Sequence, residues 1–316
     1  MKPAVERLAV LGLGLLGGSV GLAARARGVA RSVVGASRGR ETLARARARG
    51  VADLTYTDPR EAVEGADLVI LATPPFAMPG VVREIAPGLR PGALVSDVGS
   101  VKRMLAETLP GCLPPGVAFV GAHPMAGGHA RGLDHARADL FEGAACVVAP
   151  GAGADPGSVE RLCAFWEALG ARVVLRDPAA HDAEVAWVSH LPHALAFAFA
   201  RALAGAPPGA AELTGPGFRD FTRIAHGDPE LWSEIFAANR KALAGPLQAV
   251  AARLAELARE LEAGDADALE RLLTEARGAL AGFAARAAAS DARSGGANPE
   301  IPAAAGGPEG SSRNTA

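Results

Sequence analysis

Two short stretches of this 316-residue chain hold side chains able to do chemistry near neutral pH: Ser189-His190-Leu191-Pro192-His193, and further along Phe218-Arg219-Asp220-Phe221-Thr222-Arg223. Imidazoles titrate near neutrality and move protons, and a guanidinium grips a carboxylate through two parallel hydrogen bonds. A third stretch, Gly121-Ala122-His123-Pro124-Met125-Ala126-Gly127-Gly128, places a histidine at the end of an apolar run. There His123 is a candidate general base. His190 and His193 stand three apart, a spacing that can bind a metal on a helix. No third ligand with suitable spacing accompanies them, so no metal is expected.

A cofactor turn precedes all of these. Gly12-Leu13-Gly14-Leu15-Leu16-Gly17 follows a strand pattern and opens a helix pattern. In a dinucleotide site the first glycine permits the turn, the second admits the pyrophosphate and the third allows helix and strand to touch, with the helix N-terminus facing the phosphates. An acidic residue further on marks NAD. Ser37, Arg38, Gly39 and Arg40 stand there instead. Two guanidiniums and a hydroxyl suit a 2′-phosphate, so NADP is expected over NAD, unless Arg38 and Arg40 are simply solvated charges. Leu71-Ala72-Thr73-Pro74-Pro75 ends another strand at the same sheet edge, which adds Thr73 and Pro74 to the cofactor contacts. Ser100, in Asp97-Val98-Gly99-Ser100-Val101-Lys102, falls near the nicotinamide, or serves as a helix N-cap.

These residues need a scaffold. Apolar runs at Leu8–Leu11, Ser32–Gly35, Leu68–Ala72, Ala93–Ser96, Ala118–Gly121, Ala144–Ala149 and Arg172–Leu175 alternate with helix patterns near 15–28, 40–49, 77–86, 101–108 and 155–169. Such alternation predicts an α/β Rossmann-type, doubly wound parallel sheet. Beyond it the patterns are helical, over 178–204, 229–243, 246–263 and 266–287, with a Pro/Gly-rich break at 205–217. The expected organisation is a dinucleotide-binding domain at 1–177, a helical substrate and dimerisation domain at 178–289, and a disordered tail at 290–316. The cleft between the domains is the usual place for a small ligand.

Composition narrows the function classes. Hydrophobic residues make up 49% of the chain and the net charge is −2, which points to neither nucleic acid nor an anionic membrane. Three cysteines without metal spacing suit a reduced, cytoplasmic compartment. Lys2 ahead of the apolar Leu8–Leu22 superficially resembles a signal peptide, but that segment reads as strand, glycine turn and helix. No apolar stretch is long enough to span a bilayer.

Five motifs in order, GLGLLGGS, SDVGSVK, GAHPMAGG, HDAEVAWVSHLPH and GPGFRDFTRIAHGDPELW, give the chain a resemblance to the prephenate/arogenate dehydrogenase family over residues 7 to 245. The resemblance implies oxidative decarboxylation: hydride leaves the ring carbon bearing the 4-hydroxyl, the ring carboxylate departs as carbon dioxide, and the ring becomes aromatic. Prephenate would give 4-hydroxyphenylpyruvate and arogenate would give tyrosine. By position in the motif His123 accepts the hydroxyl proton and Ser100 orients it. Arg223 is the candidate clamp for an anionic substrate, with an ion pair to Asp220 as its rival role. Ser189 and His193 begin a helix whose first turn suits Pro192, and their side chains suit polar substrate groups. His181 resembles a further site residue, and Trp232 reads as core or lid. In the family the helical domain makes a homodimer, and a segment like Thr214–Gly217 reaches the partner's site. Two departures stand out: Gly128 and His129 occupy places where many relatives have a hydroxyl residue and an acidic residue or histidine, and the ribose loop lacks its acid. A β-hydroxyacid dehydrogenase, with Lys241 as its lysine, and a non-catalytic NADP sensor are the alternatives.

Overall fold

The structure is a computed structural model that describes residues 4–127 and 132–294, with side chains to 289. Strands β1 (Val5–Leu11) and β2 (Ala30–Ala36) flank helix α1 (Leu15–Ala26). There follow α2 (Arg40–Ala48), β3 (Leu54–Tyr56), α3 (Pro59–Val63), β4 (Leu68–Leu71), α4 (Met78–Ile85), β5 (Leu94–Asp97), α5 (Arg103–Thr108) and β6 (Ala118–Phe119). The six strands form one sheet in the order β3-β2-β1-β4-β5-β6, every pair parallel. Strand order reverses between β1 and β4, and in open α/β sheets the ligand crevice lies at the carboxyl ends beside that switch.

The central strands are continuous apolar runs because both sheet faces are covered. Successive side chains of β1 go to opposite sides: Leu8 and Val10 join a core with Phe141, Phe165 and Trp166, while Ala9 and Leu11 join one with Met78, Val82 and Leu105.

After β6 the architecture departs from a single parallel sheet. With only Val120 between, the chain enters β7 (Gly121–Pro124), which pairs antiparallel with β8 (Ala145–Ala149). Helix α6 (Pro156–Ala168) leads to β9 (Arg172–Leu175), parallel to β8. The apolar run read as one strand, Ala118–Gly121, is thus the junction of two sheets. An apolar run reports burial and not the direction of its partner. β3 and α3 left no reading in the sequence because three and five residues are too short to show a period.

The remaining elements are helices: α7 (Pro178–Val185), a π turn at Ala186–His190, α8 (Leu191–Ala202), α9 (Pro216–Thr222), α10 (Pro229–Ala238), α11 (Arg240–Ala263) and α12 (Ala266–Ser294). Asp177 and Asp228 cap α7 and α10, each accepting two backbone N–H groups ahead of an N1 proline. α9 begins at Pro216, inside the expected break. The division between α10 and α11 falls at Asn239, not at the expected 244–245. Pro246 lies inside α11 and is buried. Helix α12 runs to Ser294, past the expected start of the tail; residues 295–316 lie outside the described residues. Among the described residues no helix is long and apolar enough to cross a membrane.

Trp166 has no exposure and meets Phe141 and Phe165 edge-on, with ring centroids 5.2 and 5.6 Å away. Replacing Trp166 with Ala should therefore cost about 3–5 kcal/mol, measured as a lower urea midpoint with an unchanged slope; a loss below about 1 kcal/mol would refute this packing account.

Candidate active site

The three glycines at the carboxyl end of β1 have distinct geometry. Gly12 has φ +103°, and a Cβ there would stand 2.4 Å from the Ala72 carbonyl oxygen. A Cβ at Gly17 would stand 1.9 Å from the Gly12 oxygen, so α1 and β1 touch only because it is absent. A Cβ at Gly14 would meet nothing within 4 Å, which leaves the turn open on one side. Gly14 caps α1 without a side-chain hydrogen bond, and the first turn holds no acidic residue. The backbone N–H groups of Leu15 and Leu16 are therefore free for an anion. Thr73 adjoins Gly12, and its Oγ1 is buried without a partner. An open glycine, free helix N–H groups and an orphaned hydroxyl fit a dinucleotide.

At the end of β2, Ser37 is half-buried, and its Oγ accepts from Gly39 N at 3.4 Å. Arg38 and Arg40 are exposed. Pro74 follows Thr73 on the loop after β4. That loop also spans the cleft: Phe76 N donates to Glu234 of α10 at 3.2 Å. Behind His123, the loop returns to the cofactor turn, where the Gly127 Cβ position is 4.0 Å from Leu15 Cδ2. The departures at Gly128 and His129 fall outside the described residues.

His123 sits on β7 at 7% exposure. Its Nδ1 lies 2.9 Å from His181 Nε2, and His181 Nδ1 lies 2.8 Å from Asp182 Oδ1. Asp182 also accepts from Lys102 N at 2.8 Å and Arg103 N at 3.1 Å, the start of α5. Burial holds the His123 pKa well below 6.5, with the neighbouring His181, Lys102 and His190 adding to it, so the ring is neutral at neutral pH. His181 was expected among the substrate contacts; at 1% exposure it instead stands behind His123.

A buried ion pair holds β7 in place. Lys102 Nζ donates to Asp97 and to the Ala122 carbonyl, the latter at 2.8 Å. Asp97 in turn accepts from Gly99 N and Ala122 N. Burial pushes Asp97 up and Lys102 down, and these backbone bonds offset the desolvation. Ser100, two residues before Lys102, is half-buried. It is not the N-cap of α5: Lys102 holds that position, and Asp182 takes the N–H groups there.

His190 is fully buried. Asn239 Nδ2 donates to its Nδ1 at 2.9 Å and to the Asp182 carbonyl at 2.8 Å. Its Nε2 therefore carries the hydrogen, and this N–H has no partner. Burial lowers its pKa to about 4. His193 donates from Nδ1 to the Ser189 carbonyl at 2.9 Å, which leaves Nε2 as an acceptor. Its ring stacks on Trp232 with centroids 3.7 Å apart, and burial lowers its pKa, aided by the nearby Arg223 charge. Trp232 also meets Phe197 and Phe236, so it is the centre of an aromatic cluster. Ser189 is half-buried in the π turn, and Arg223 is exposed. No ion pair joins Arg223 to Asp220 among the described residues.

Asp182, Lys102, Asp97 and Asn239 were missed by the sequence reading, and His190 was weighed there only as a metal ligand. Asp97 and Lys102 lie in the SDVGSVK motif and Asp182 in HDAEVAWVSHLPH, but nothing local shows what they bond. Nothing local marks Asn239, whose partners are 57 and 49 residues away.

A dinucleotide turn beside a neutral, buried histidine, faced by a helical unit with further imidazoles, defines a nicotinamide-dependent oxidoreductase of the Rossmann type. Comparison with known proteins makes the family specific. The model of the prephenate dehydrogenase nucleotide-binding domain matches residues 20–175, and that of the prephenate dehydrogenase dimerization domain matches 177–275. The chain is 32% identical to a cyclohexadienyl dehydrogenase of Zymomonas mobilis, over 84% of this chain and 91% of that one. It is likewise 32% identical to a prephenate dehydrogenase of Bacillus subtilis, over 76% of this chain and 66% of that one. A crystal structure of prephenate dehydrogenase from Aquifex aeolicus, in complex with hydroxyphenyl propionate and NAD+, superposes with TM-score 0.80 at 28% identity, covering 88% of this chain and 98% of that one. Synechocystis arogenate dehydrogenase superposes with TM-score 0.74 at 34% identity, covering 88% and 99%. The chain belongs to the prephenate dehydrogenase family, and it is an NAD(P)-dependent enzyme. This removes the β-hydroxyacid and sensor alternatives; Lys241 is an exposed residue of α11.

The neutral histidines make stability depend on pH. His190 has a folded pKa of about 4 against an ordinary 6.5, so the unfolded chain binds more protons between those values. Stability is full above pH 6.5 and falls as pH drops towards 4, by on the order of 3 kcal/mol for this group. Urea unfolding at pH 7 and pH 4.5 should show the loss, and His190→Gln should flatten the slope over that window. Equal slopes would remove His190 as the cause.

Proposed function

We propose that this enzyme oxidises prephenate to 4-hydroxyphenylpyruvate and carbon dioxide with NADP, the step that supplies tyrosine. The observation that carries the reading is His123: a neutral, buried imidazole at a strand end, with the loop after it lying against the cofactor turn. Gly12, Gly14, Leu15, Leu16, Gly17, Thr73 and Pro74 would hold the dinucleotide. Ser37, Arg38 and Arg40 would hold a 2′-phosphate. The bound nicotinamide supplies the hydride acceptor.

The chain's own residues do the rest. His123 accepts the 4-hydroxyl proton as the C4–H electron pair departs, which spares C4 a developing positive charge. Ser100 hydrogen-bonds the same hydroxyl and fixes its direction. The bond from the ring to its carboxylate then breaks, carbon dioxide leaves, and that electron pair completes the aromatic ring and ends on the former hydroxyl oxygen. His123 returns the proton there and ends the cycle neutral. Arg223 clamps a substrate carboxylate, while Ser189 and His193 line the side-chain end. Arogenate, with an ammonium in place of the keto group, is the second reading, because a relative at 34% identity is named for it.

The dinucleotide-binding unit spans 1–177 and the helical unit 178–289 in this reading, and a homodimer forms through the latter. Leu247, Leu254 and Leu261 of α11 recur at intervals of seven with 39, 57 and 60% exposure, as do Leu273 and Leu280 of α12 with 63 and 69%. Seven-residue spacing gives a helix a continuous apolar seam. We place the enzyme in the cytoplasm, since its three cysteines are free.

Initial rates of nicotinamide reduction test the reading. Turnover is expected with prephenate and NADP, and the paired Arg38→Ala, Arg40→Ala variant should raise KM for NADP by at least about tenfold while sparing NAD. A wild-type preference for NAD would overturn the ribose-loop argument; turnover of arogenate alone would change the substrate. Light scattering on the full chain should give twice the monomer mass of 31.9 kDa, and Leu254→Glu with Leu261→Glu should halve it. A monomeric wild type would defeat the seam.

A further inference from the structure

We propose that Asp182 and His181 are positioning residues that act through His123, as a buried hydrogen-bond chain that sets its tautomer and takes up its second proton. The proposal rests on His123 being the base of the proposed reaction.

The tautomers follow from the donors. The Asp182 carboxylate receives three hydrogen bonds: Lys102 N and His181 Nδ1 on Oδ1, and Arg103 N on Oδ2. A carboxylate so placed accepts only, so His181 Nδ1 carries a hydrogen. A neutral His181 then presents its Nε2 lone pair to His123 Nδ1, 2.9 Å away. His123 must donate across that gap, and its own Nε2 is left as the lone pair available to a substrate hydroxyl. The reverse arrangement would need a doubly protonated His181, a cation buried at 1% exposure.

The chain also answers a problem of charge. Taking a proton at Nε2 makes His123 a buried cation. The groups around it are Lys102 and Asp97 from the β5–α5 segment, His190 from the π turn, Cys146 from β8, and His181 with Asp182 from α7. Of the two carboxylates, Asp97 is already matched to Lys102. Among the described residues no lysine or arginine side chain hydrogen-bonds Asp182, whose direct partners are backbone N–H groups and His181; the Lys102 and Arg103 charges act on it only at longer range. In the step itself the substrate O–H bond breaks and an N–H bond forms at His123 Nε2. The His123 Nδ1–H bond breaks as its proton moves to His181 Nε2, and the charge comes to rest beside Asp182. When the aromatic product is reprotonated both protons return, so nothing is consumed.

Three elements lock the chain. α5 grips the Asp182 carboxylate through two backbone N–H groups, Asn239 grips its carbonyl, and β7 holds His123 by pairing with Val147.

Nitrogen-15 spectra of the histidines in the wild-type dimer, with NADP bound, read the chain without turnover. His123 and His181 should both carry Nδ1–H. Kinetics then test its role. His181→Gln can accept a hydrogen bond but not a proton; it should lower kcat by about 100-fold, leave the substrate KM and NADPH affinity near wild type, and turn a bowed proton inventory into a straight one. Asp182→Asn should lower kcat similarly and shift His181 to its Nε2–H form, the wrong tautomer for the chain. An Nε2–H on resting wild-type His123 would overturn the proposal. So would a His181→Gln enzyme with wild-type kcat and an unchanged inventory, or one whose KM and kcat deteriorate together. A wild type inactive on both prephenate and arogenate would defeat the functional reading instead, and the spectra would still decide the chain.

Discussion

Asp182 is where the two halves of the molecule are tied around His123. Its carboxylate terminates the backbone of α5, which belongs to the dinucleotide-binding half. Its carbonyl is held by Asn239 from the helical half, and its side chain orients His181. One buried residue thus links the two halves and orients the ring behind His123. Removing its side chain would strand two N–H groups and an imidazole at once, and unsatisfied buried groups cost more than a typical hydrogen bond gains.

The site is assembled from groups that burial makes expensive. His123 and His190 are held neutral by desolvation. The cost is lowest where each ring nitrogen has a defined role, so Asn239 fixes His190 as a donor and the Ser189 carbonyl fixes His193 as an acceptor. A rigid, water-poor set of donors and acceptors strengthens electrostatic interactions with a bound anion. The unpartnered Nε2–H of His190 belongs to this design, since a group left unsatisfied by the protein is available to a ligand.

The cofactor end of this arrangement was legible in the sequence because each glycine answers a local steric demand. Gly12 needs positive φ and Gly17 needs to lack a Cβ, and both demands lie within one turn of chain. His123 was legible for a similar reason, being a titratable residue at the end of an apolar run. The features that stayed hidden depend on partners distant in sequence. The antiparallel β7–β8 pair, the burial of His181 and the helix division at Asn239 leave no periodic trace. The helix expected to start at Pro246 in fact starts at Arg240: the proline is buried inside α11, where packing outweighs the hydrogen bond it cannot make.

The π turn at Ala186–His190 connects local backbone chemistry to the site. Leu191 N bonds back five residues to the Ala186 carbonyl. Pro192 has no N–H to offer Val188, and its ring crowds the carbonyl four residues earlier, so the regular ladder cannot continue there. In an unbroken α-helix, at ~100° per residue, His181 and His190 would point to opposite faces, being nine positions apart. The extra residue of the π turn rotates the helix beyond it. Both rings can then bear on His123, and His193, one turn on, faces Trp232. The SHLPH sequence therefore does two jobs: it supplies His190 and His193, and its proline accompanies the backbone defect that brings His190 to the side of His181.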